Sequence, residues 1–222
     1  MRNGIIFDLD GTLIDSRADL ALAVNLTREE LGLPPIPEGQ VVGYVGEGVR
    51  TLLTRSIPEL PQELERALGI NQRHYRAHLL DRTRLYPGVQ AALDRFRRRD
   101  IPLMVVTNKP RAFTDLILEG LGVAPLMAAV VGGGDCPGLK PDPAPLLMAL
   151  ERAGCEAAGS WMAGDHFTDL EAGRRAGLQR CFCRYGFGDP RTETWELAVD
   201  DLTQLADHLE PIGLHPGRPA LS

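Results

Sequence analysis

The chain has 222 residues, 44% of them hydrophobic, and a formal net charge of −6. This composition suits one sizeable core, or a core domain with a smaller insertion, and it excludes a chain that is disordered throughout. The acidic balance argues against a nucleic-acid binder, because such a protein needs a basic face to neutralise phosphates.

No stretch of the sequence resembles a membrane anchor or a secretory signal. The longest run without a charge, around residues 121–134, is shorter than the roughly 20 apolar residues of a spanning helix. Near the amino terminus only Ile5, Ile6 and Phe7 are consecutively apolar before Asp8. We therefore expect a cytoplasmic protein, a monomer or homodimer, with neither a membrane nor a nucleic-acid partner.

Six short apolar runs predict buried strands, and most of them are separated by helical patterns. They lie at 4–7, 102–106, 127–131, 160–163, 179–183 and 197–199. Alternating strands and helices are typical of a parallel sheet covered on both faces. The predicted fold class is therefore α/β, with a doubly wound parallel sheet.

Residues 16–84 break this alternation, because they show helical periodicity without a convincing strand. We interpret them as a small helical cap inserted into a core domain formed by residues 1–15 and 85–212. The last ten residues, 213–222, contain two prolines and two glycines, and we expect them to form a disordered tail.

Polar side chains follow four of the predicted strands. In a doubly wound sheet, the ligand crevice lies outside the carboxyl ends of the strands, so we expect these side chains to converge. The candidates, in chain order, are Asp8 and Asp10, then Thr107 and Asn108, then Lys140, and finally Asp165 and Asp169.

Converging carboxylates require a counter-charge. Two bare like charges about 4 Å apart repel by roughly 4 kcal/mol at an effective dielectric constant near 20. A divalent cation, a lysine or a bound proton relieves this repulsion. Oxygen ligands in an open site suit Mg²⁺, which is the cofactor we expect.

Lysine is rare in this chain, since only Lys109 and Lys140 among the 24 basic residues are not arginine. We expect Lys140 to be retained for chemistry. We interpret Lys109 as a chance survivor in an arginine-rich chain.

Four segments, in order, resemble the four motifs of the haloacid dehalogenase-like superfamily: Asp8-Leu9-Asp10-Gly11-Thr12, Thr107-Asn108, Lys140-Pro141, and Gly164-Asp165 with Asp169. The resemblance spans residues 5–178. The insertion after the first motif is similar to the small helical cap of that superfamily, and the core motifs are similar to its phosphoglycolate phosphatase branch.

The resemblance implies a magnesium-dependent phosphatase acting on a small phosphorylated metabolite. Asp8 would be the nucleophile and Asp10 the general acid and base, protonated in the first step because other carboxylates crowd it. Thr107 and the Asn108 amide would hold phosphoryl oxygens, and Lys140 would neutralise charge. Magnesium would bind Asp8, the Asp10 backbone carbonyl and Asp165, with Asp169 close by, directly or through water.

In this superfamily the cap stretch that contains Gly46-Glu47-Gly48 sets specificity. Arg50 follows this stretch, and its forked cation could bind a carboxylate. We therefore expect Arg50 to bind the substrate, and we expect that substrate to be 2-phosphoglycolate.

Several other functions use the same residue types. Two alternative enzymatic functions stay open. One is a phosphatase that acts on another phosphometabolite, either a sugar phosphate or a nucleotide. The other is a phosphomutase of the same superfamily. A receiver-like phospho-acceptor would place its aspartate at the end of the third strand, where 130–134 has none. A non-catalytic binding protein is disfavoured because no essential side chain is missing. Asp10 argues against a haloalkanoate dehalogenase, and the absence of lysine from 16–84 argues against a Schiff-base phosphonate hydrolase.

Overall fold

A six-stranded parallel sheet forms the centre of the computed structural model, which describes residues 2–210. The spatial order of its strands is β5-β4-β1-β6-β7-β8. The strands are β1 (Ile5–Phe7), β4 (Leu103–Pro110), β5 (Ala129–Gly133), β6 (Trp161–Gly164), β7 (Gln179–Cys183) and β8 (Leu197–Val199), while β2 (Ile14–Asp15) and β3 (Arg84–Leu85) form a separate antiparallel pair. All six strands predicted from the sequence are present. The tail expected at 213–222 lies outside the described residues.

Helices cover both faces of the sheet, as the alternation of elements predicts. On one face lie α5 (Val89–Arg98), α6 (Arg111–Gly120) and α9 (Leu202–Leu209), and on the other lie α7 (Ala144–Ala153) and α8 (Phe167–Ala176). No helix within residues 2–210 is long and apolar enough to span a bilayer.

Strand β1 lies between β4 and β6 and has no exposed surface. Ile5 and Phe7 pack into the core on the face of α5, α6 and α9, whereas Ile6 packs into the core beneath α7 and α8. This alternation follows from the two-residue side-chain period of a strand. Burying each of these side chains contributes about 2–3 kcal/mol, so the chain is firmly held where it enters the following loop.

Strand β4 is longer than the sequence predicts. The apolar run ends at Val106, but the strand continues to Pro110, which pairs with Gly133. The pairing register shifts between Val106 and Pro110. Thr107, Asn108 and Lys109 therefore lie on an irregular strand extension rather than in a loop.

Four helices occupy the segment between β2 and β3, and we call them the helical insertion. They are α1 (Arg17–Glu30), α2 (Glu38–Val42), α3 (Val49–Ser56) and α4 (Leu64–His78). They enclose a hydrophobic cluster of their own, centred on Val24, Leu53 and Ala67. The two connections to the sheet run side by side as β2 and β3, two-residue strands too short to produce a periodic sequence signal.

The buried Asp19 carboxylate joins the two connections. It accepts hydrogen bonds from the backbone N–H groups of Arg82 and Thr83 and from the Thr83 hydroxyl. Asp19 thereby ties the start of α1 to the segment that leads into β3, which holds the two ends of the helical insertion together.

Candidate active site

Three buried carboxylates meet at the carboxyl end of the sheet. Asp8 follows β1, Asp165 follows β6, and Asp169 lies in the first turn of α8. One oxygen from each lies within 4.8 Å of the others. The structure thus brings together three of the acidic side chains that the sequence predicts to converge.

Lys140 holds this cluster together. Its ammonium donates to Asp8 Oδ1 at 2.7 Å, to Asp169 Oδ1 at 2.6 Å and to the Val106 carbonyl at 2.7 Å, so all three of its donors are used. The side chain is only 1% exposed. Although burial alone would lower the pKa of Lys140, Asp169 and Asp8 raise it above its ordinary value. Lys140 is therefore a permanent cation in the cluster.

One lysine does not balance three carboxylates. Burial raises the pKa of Asp8 to about 6, against the pull of Lys140. Burial, followed by repulsion from Asp169 and Asp8, raises the pKa of Asp165 well above its ordinary value. Raised carboxyl pKa values are typical of a site that lacks positive charge. A divalent cation among the three carboxylates would supply this charge.

Asp165 is held by a loop that the sequence analysis did not assign to the site. Its Oδ2 accepts from the backbone N–H groups of Phe187 at 2.9 Å and Gly188 at 2.7 Å. A Cβ added at Gly186 would lie 2.3 Å from the Asp165 Cβ. In the sequence, the glycines that follow β7 are the signal for this contact, because only glycine allows the loop to approach Asp165 so closely.

Asp169 and His166 fix each other at the start of α8. Asp169 Oδ2 accepts from the His166 backbone N–H at 3.0 Å, and His166 accepts from the Thr168 backbone. His166 is buried, and burial lowers its pKa to about 4. The ring is therefore neutral at pH 7 and adds no cation to the site.

Asp10 is separated from the carboxylate cluster by its own partners. Its two oxygens accept from Lys109 Nζ at 2.8 and 2.7 Å, and Oδ1 also accepts from the Ser16 hydroxyl at 2.5 Å. Asp10 therefore contacts an ammonium and a hydroxyl, whereas Asp8, Asp165 and Asp169 form the cluster of carboxylates.

The interpretation of Lys109 as a chance survivor in an arginine-rich chain is wrong. Its side chain is 4% exposed and lies beside Asp10. Although burial acts to lower its pKa, Asp10 and the nearby Tyr75 raise it, so the ammonium stays charged. The irregular extension of β4 carries this side chain into the site, and the sequence pattern gives no sign of that bend.

The Asn108 side chain makes hydrogen bonds within the protein, whereas its expected role is to hold phosphoryl oxygens. Its amide nitrogen donates to the carbonyls of Gly46 and Lys140, both at 2.9 Å, and its Oδ1 accepts from the Lys140 backbone N–H at 2.8 Å. The side chain thus ties the helical insertion to the loop that carries Lys140. Thr107 is buried next to it, and its hydroxyl accepts from the Lys109 backbone N–H at 3.2 Å.

A cleft lies between the helical insertion and the sheet. Its empty space is about 750 Å³, including the part open to solvent. Leu20, Val49, Leu52 and Tyr75 line it from the insertion, and Asp10, Thr107, Asn108, Lys109 and Asp165 line it from the core. A small metabolite bound there would be enclosed between the two parts of the molecule.

Arg50 lies outside this cleft. It pairs with Glu65 on α4 at 2.7 Å, and its side chain is 60% exposed. The helical period explains why Arg50 does not reach the cleft as expected. Val49 and Leu52 occupy the face of α3 toward the cleft, and Arg50 points about 100° away from Val49. The structure does not bring Arg50 to the candidate site.

Comparison with known proteins places this arrangement in a family. The family model described as haloacid dehalogenase-like hydrolase matches residues 5–183. A phosphoglycolate phosphatase of Chromobacterium violaceum is 36% identical over 209 residues, covering 91% of this chain and 94% of the relative. One of Neisseria gonorrhoeae is 37% identical over 206 residues, covering 90% and 86%.

The fold agrees with a solved structure from Haemophilus somnus, described as a predicted phosphoglycolate phosphatase. The two superpose with a TM-score of 0.84 at 28% identity, covering 93% of this chain and 97% of the other. Sequence and fold therefore point to the same group of proteins over most of the chain.

Proposed function

The chain belongs to the haloacid dehalogenase-like hydrolase family, and from this premise we propose that it is a magnesium-dependent phosphatase that hydrolyses 2-phosphoglycolate to glycolate and phosphate. The reaction would pass through an aspartyl phosphate, which is a mixed anhydride of the Asp8 carboxyl group and phosphate. The substrate assignment draws on relatives at 33–37% identity that are named phosphoglycolate phosphatase.

The observation that carries the proposal is the contact between Asp8 and Lys140. Lys140 occupies Oδ1 of Asp8 and leaves Oδ2 to attack phosphorus. A nucleophilic carboxylate next to a fixed ammonium and two further carboxylates suits phosphoryl transfer, in which catalysis depends mainly on positioning and charge.

The residues present fit a magnesium ion. Asp8, Asp165 and Asp169 carry three charges against one on Lys140 when all are ionised, so the cluster accepts a divalent cation without excess positive charge. We propose that Asp8, Asp165 and the Asp10 backbone carbonyl hold the ion, and that Asp169 does so directly or through water. When bound, Mg²⁺ would lower the repulsion between the carboxylates and the phosphate.

In the first step, Asp8 Oδ2 attacks phosphorus while the bond from phosphorus to the glycolate oxygen breaks. Asp10, in its protonated form, gives its proton to the departing oxygen. In the second step, a water attacks the same phosphorus, Asp10 takes the water proton, and the Asp8–phosphorus bond breaks to release phosphate.

We propose that Thr107 holds phosphoryl oxygens and that Asn108 acts mainly by positioning Lys140. The helical insertion is proposed to act as a cap that closes the cleft and excludes water. The hydrogen bond from Asn108 to the Gly46 carbonyl supports this role, since it links the insertion to the residue that also holds Lys140.

A substrate panel tests the proposal. Phosphate release is measured from 2-phosphoglycolate, sugar phosphates and nucleoside monophosphates, with Mg²⁺ and with a chelator. The proposal expects the highest kcat/KM for 2-phosphoglycolate and loss of activity with the chelator. Equal or higher kcat/KM for a sugar phosphate or nucleotide would assign a different substrate. Stable phosphorylation without turnover would instead favour the phosphomutase or receiver alternatives.

A further inference from the structure

Lys109 is a buried cation whose contacts leave part of its bonding capacity available. Two of its three donors go to the oxygens of Asp10. Its Nζ also lies 4.8 Å from the ring centroid of Tyr75, a residue of α4 in the helical insertion. Lys109 therefore lies at the boundary between the core and the insertion, and its third donor has no hydrogen-bond acceptor among residues 2–210.

The Tyr75 hydroxyl is a second polar group without a partner at this place. The residue is only 4% exposed, and its oxygen is buried with no hydrogen-bond partner among the described residues. Its ring packs edge-on against Phe113, with ring centroids 5.2 Å apart, so the side chain is held in place. A buried hydroxyl without a partner is costly, and a ligand in the cleft would remove that cost.

Lys109 is also the only permanent cation among the described residues that line the cleft. The other ionisable side chains that line the cleft belong to Asp10, Asp165 and His166. Lys140 is used completely by its three acceptors. Among residues 2–210, Lys109 is therefore the fixed positive charge in this cleft that an anionic group of the substrate, other than the phosphate, could bind.

We propose that Lys109 Nζ and the Tyr75 hydroxyl bind the carboxylate of the substrate, which makes Lys109 the specificity-determining residue of the enzyme. This inference rests on the proposed phosphatase function. In 2-phosphoglycolate one methylene carbon separates the carboxyl group from the leaving oxygen. Because Asp10 must reach that oxygen, an ammonium that touches Asp10 also lies within reach of the carboxylate.

The test compares two substrates that differ only in this group. Ethyl phosphate carries a methyl group where 2-phosphoglycolate carries the carboxylate. The readout is the ratio of kcat/KM for 2-phosphoglycolate to that for ethyl phosphate, because this ratio cancels any general loss of catalysis. The variants are Lys109→Met, Tyr75→Phe and, as a control, Arg50→Met, which removes a cation from the outer surface of the insertion.

We expect the ratio to fall by about tenfold to a hundredfold in Lys109→Met, as for the loss of a charged hydrogen bond. In Tyr75→Phe it should fall about threefold to tenfold, and in Arg50→Met it should stay unchanged. If Lys109→Met slows both substrates equally and keeps the ratio, Lys109 serves only Asp10 and the proposal is overturned.

The outcomes separate the two proposals. A wild-type ratio near one would overturn the phosphoglycolate assignment, and the carboxylate site with it. A high wild-type ratio that Lys109→Met preserves would overturn only the role of Lys109. Should Lys109→Met fail to fold, as judged by circular dichroism, Tyr75→Phe decides alone, because it keeps the packing on Phe113; an unchanged ratio would then refute the site.

Discussion

Lys140 Nζ lies 2.7 Å from Oδ1 of Asp8, although 132 residues separate them in the chain. The sheet explains the contact, because β1 and β4 are neighbours and the loop that carries Lys140 is held against β4 by Asn108. The pairing orients one oxygen of the proposed nucleophile and compensates part of its charge. Most of the predictions below depend on this cluster.

Removal of the Lys140 ammonium should affect both stability and catalysis. In Lys140→Met, Asp8 and Asp169 lose their shared cation, so the free energy of unfolding of the metal-free protein should fall by about 3–5 kcal/mol. We expect kcat to fall by about 100-fold to 1000-fold. Denaturant unfolding and phosphate release measure the two effects. Lys140→Arg should not restore kcat, since a planar fork cannot serve the same three acceptors; full activity in that variant would contradict the geometry.

Asp10→Asn tests acid catalysis through its dependence on the leaving group. Loss of a general acid typically costs about 100-fold to 10,000-fold in rate. The loss should be large for 2-phosphoglycolate, whose alkoxide leaving group needs a proton, and much smaller for p-nitrophenyl phosphate, whose leaving group departs as a stable anion. kcat/KM, which reports the steps up to departure of the leaving group, is measured on both substrates. Equal losses of kcat/KM would show that Asp10 does not protonate the leaving oxygen.

The stabilising effect of Mg²⁺ should depend on pH. Burial raises the pKa of Asp8 to about 6 in the metal-free fold. Because this folded-state value lies above the ordinary 3.8, proton binding by Asp8 favours the fold at low pH, and that contribution is lost as the pH rises through about 6. A cation replaces the proton above this pH, and it competes with the proton below it.

We therefore expect added Mg²⁺ to raise the melting temperature clearly at about pH 7.5 and only slightly at about pH 5. Differential scanning fluorimetry with Mg²⁺ or a chelator measures the shift. In Asp165→Asn the shift at the higher pH should shrink, because one proposed ligand is lost. A shift of the same size at both values of pH would show that the cation binds elsewhere.

Gly46→Ala should weaken the contact between the helical insertion and the core. Gly46 has a φ of +116°, and a Cβ there would lie 2.7 Å from the His166 ring. Such strain costs about 1–3 kcal/mol, and moving the loop would also break the Asn108 hydrogen bond to the Gly46 carbonyl. We expect kcat/KM to fall about tenfold.

Gly39→Ala is the matched control, because a Cβ at Gly39 on α2 meets no atom within 4 Å. Its kcat/KM should equal that of the wild type. If the kcat/KM of Gly46→Ala also equals that of the wild type, the docking of the loop at Gly46 has no part in catalysis.

Much of the fold and of the carboxylate cluster is predictable from the sequence. An uninterrupted apolar run such as Ile5-Ile6-Phe7 has few alternatives to a buried strand, and Asp8 must then lie at the end of that strand. The carboxyl ends of parallel strands share one edge of the sheet, so Asp8 and Asp165 converge without detailed knowledge of the packing.

The remaining parts of the site depend on tertiary contacts. Lys109 reaches Asp10 only because the pairing of β4 shifts after Val106, and an apolar pattern does not encode such a shift. Arg50 turns away from the cleft because of its phase on α3 and its pairing with Glu65, 15 residues later. The loop at Phe187 acts through backbone N–H groups, which every residue except proline possesses.

The most direct test of the central claim is phosphate release from 2-phosphoglycolate by the wild type and by Asp8→Asn, with Mg²⁺ present. Asparagine keeps the shape of the side chain but cannot attack phosphorus as a carboxylate does. Rapid release by the wild type and no release above the uncatalysed background by the variant are the predicted results. Comparable release by a correctly folded Asp8→Asn protein would contradict covalent catalysis by Asp8.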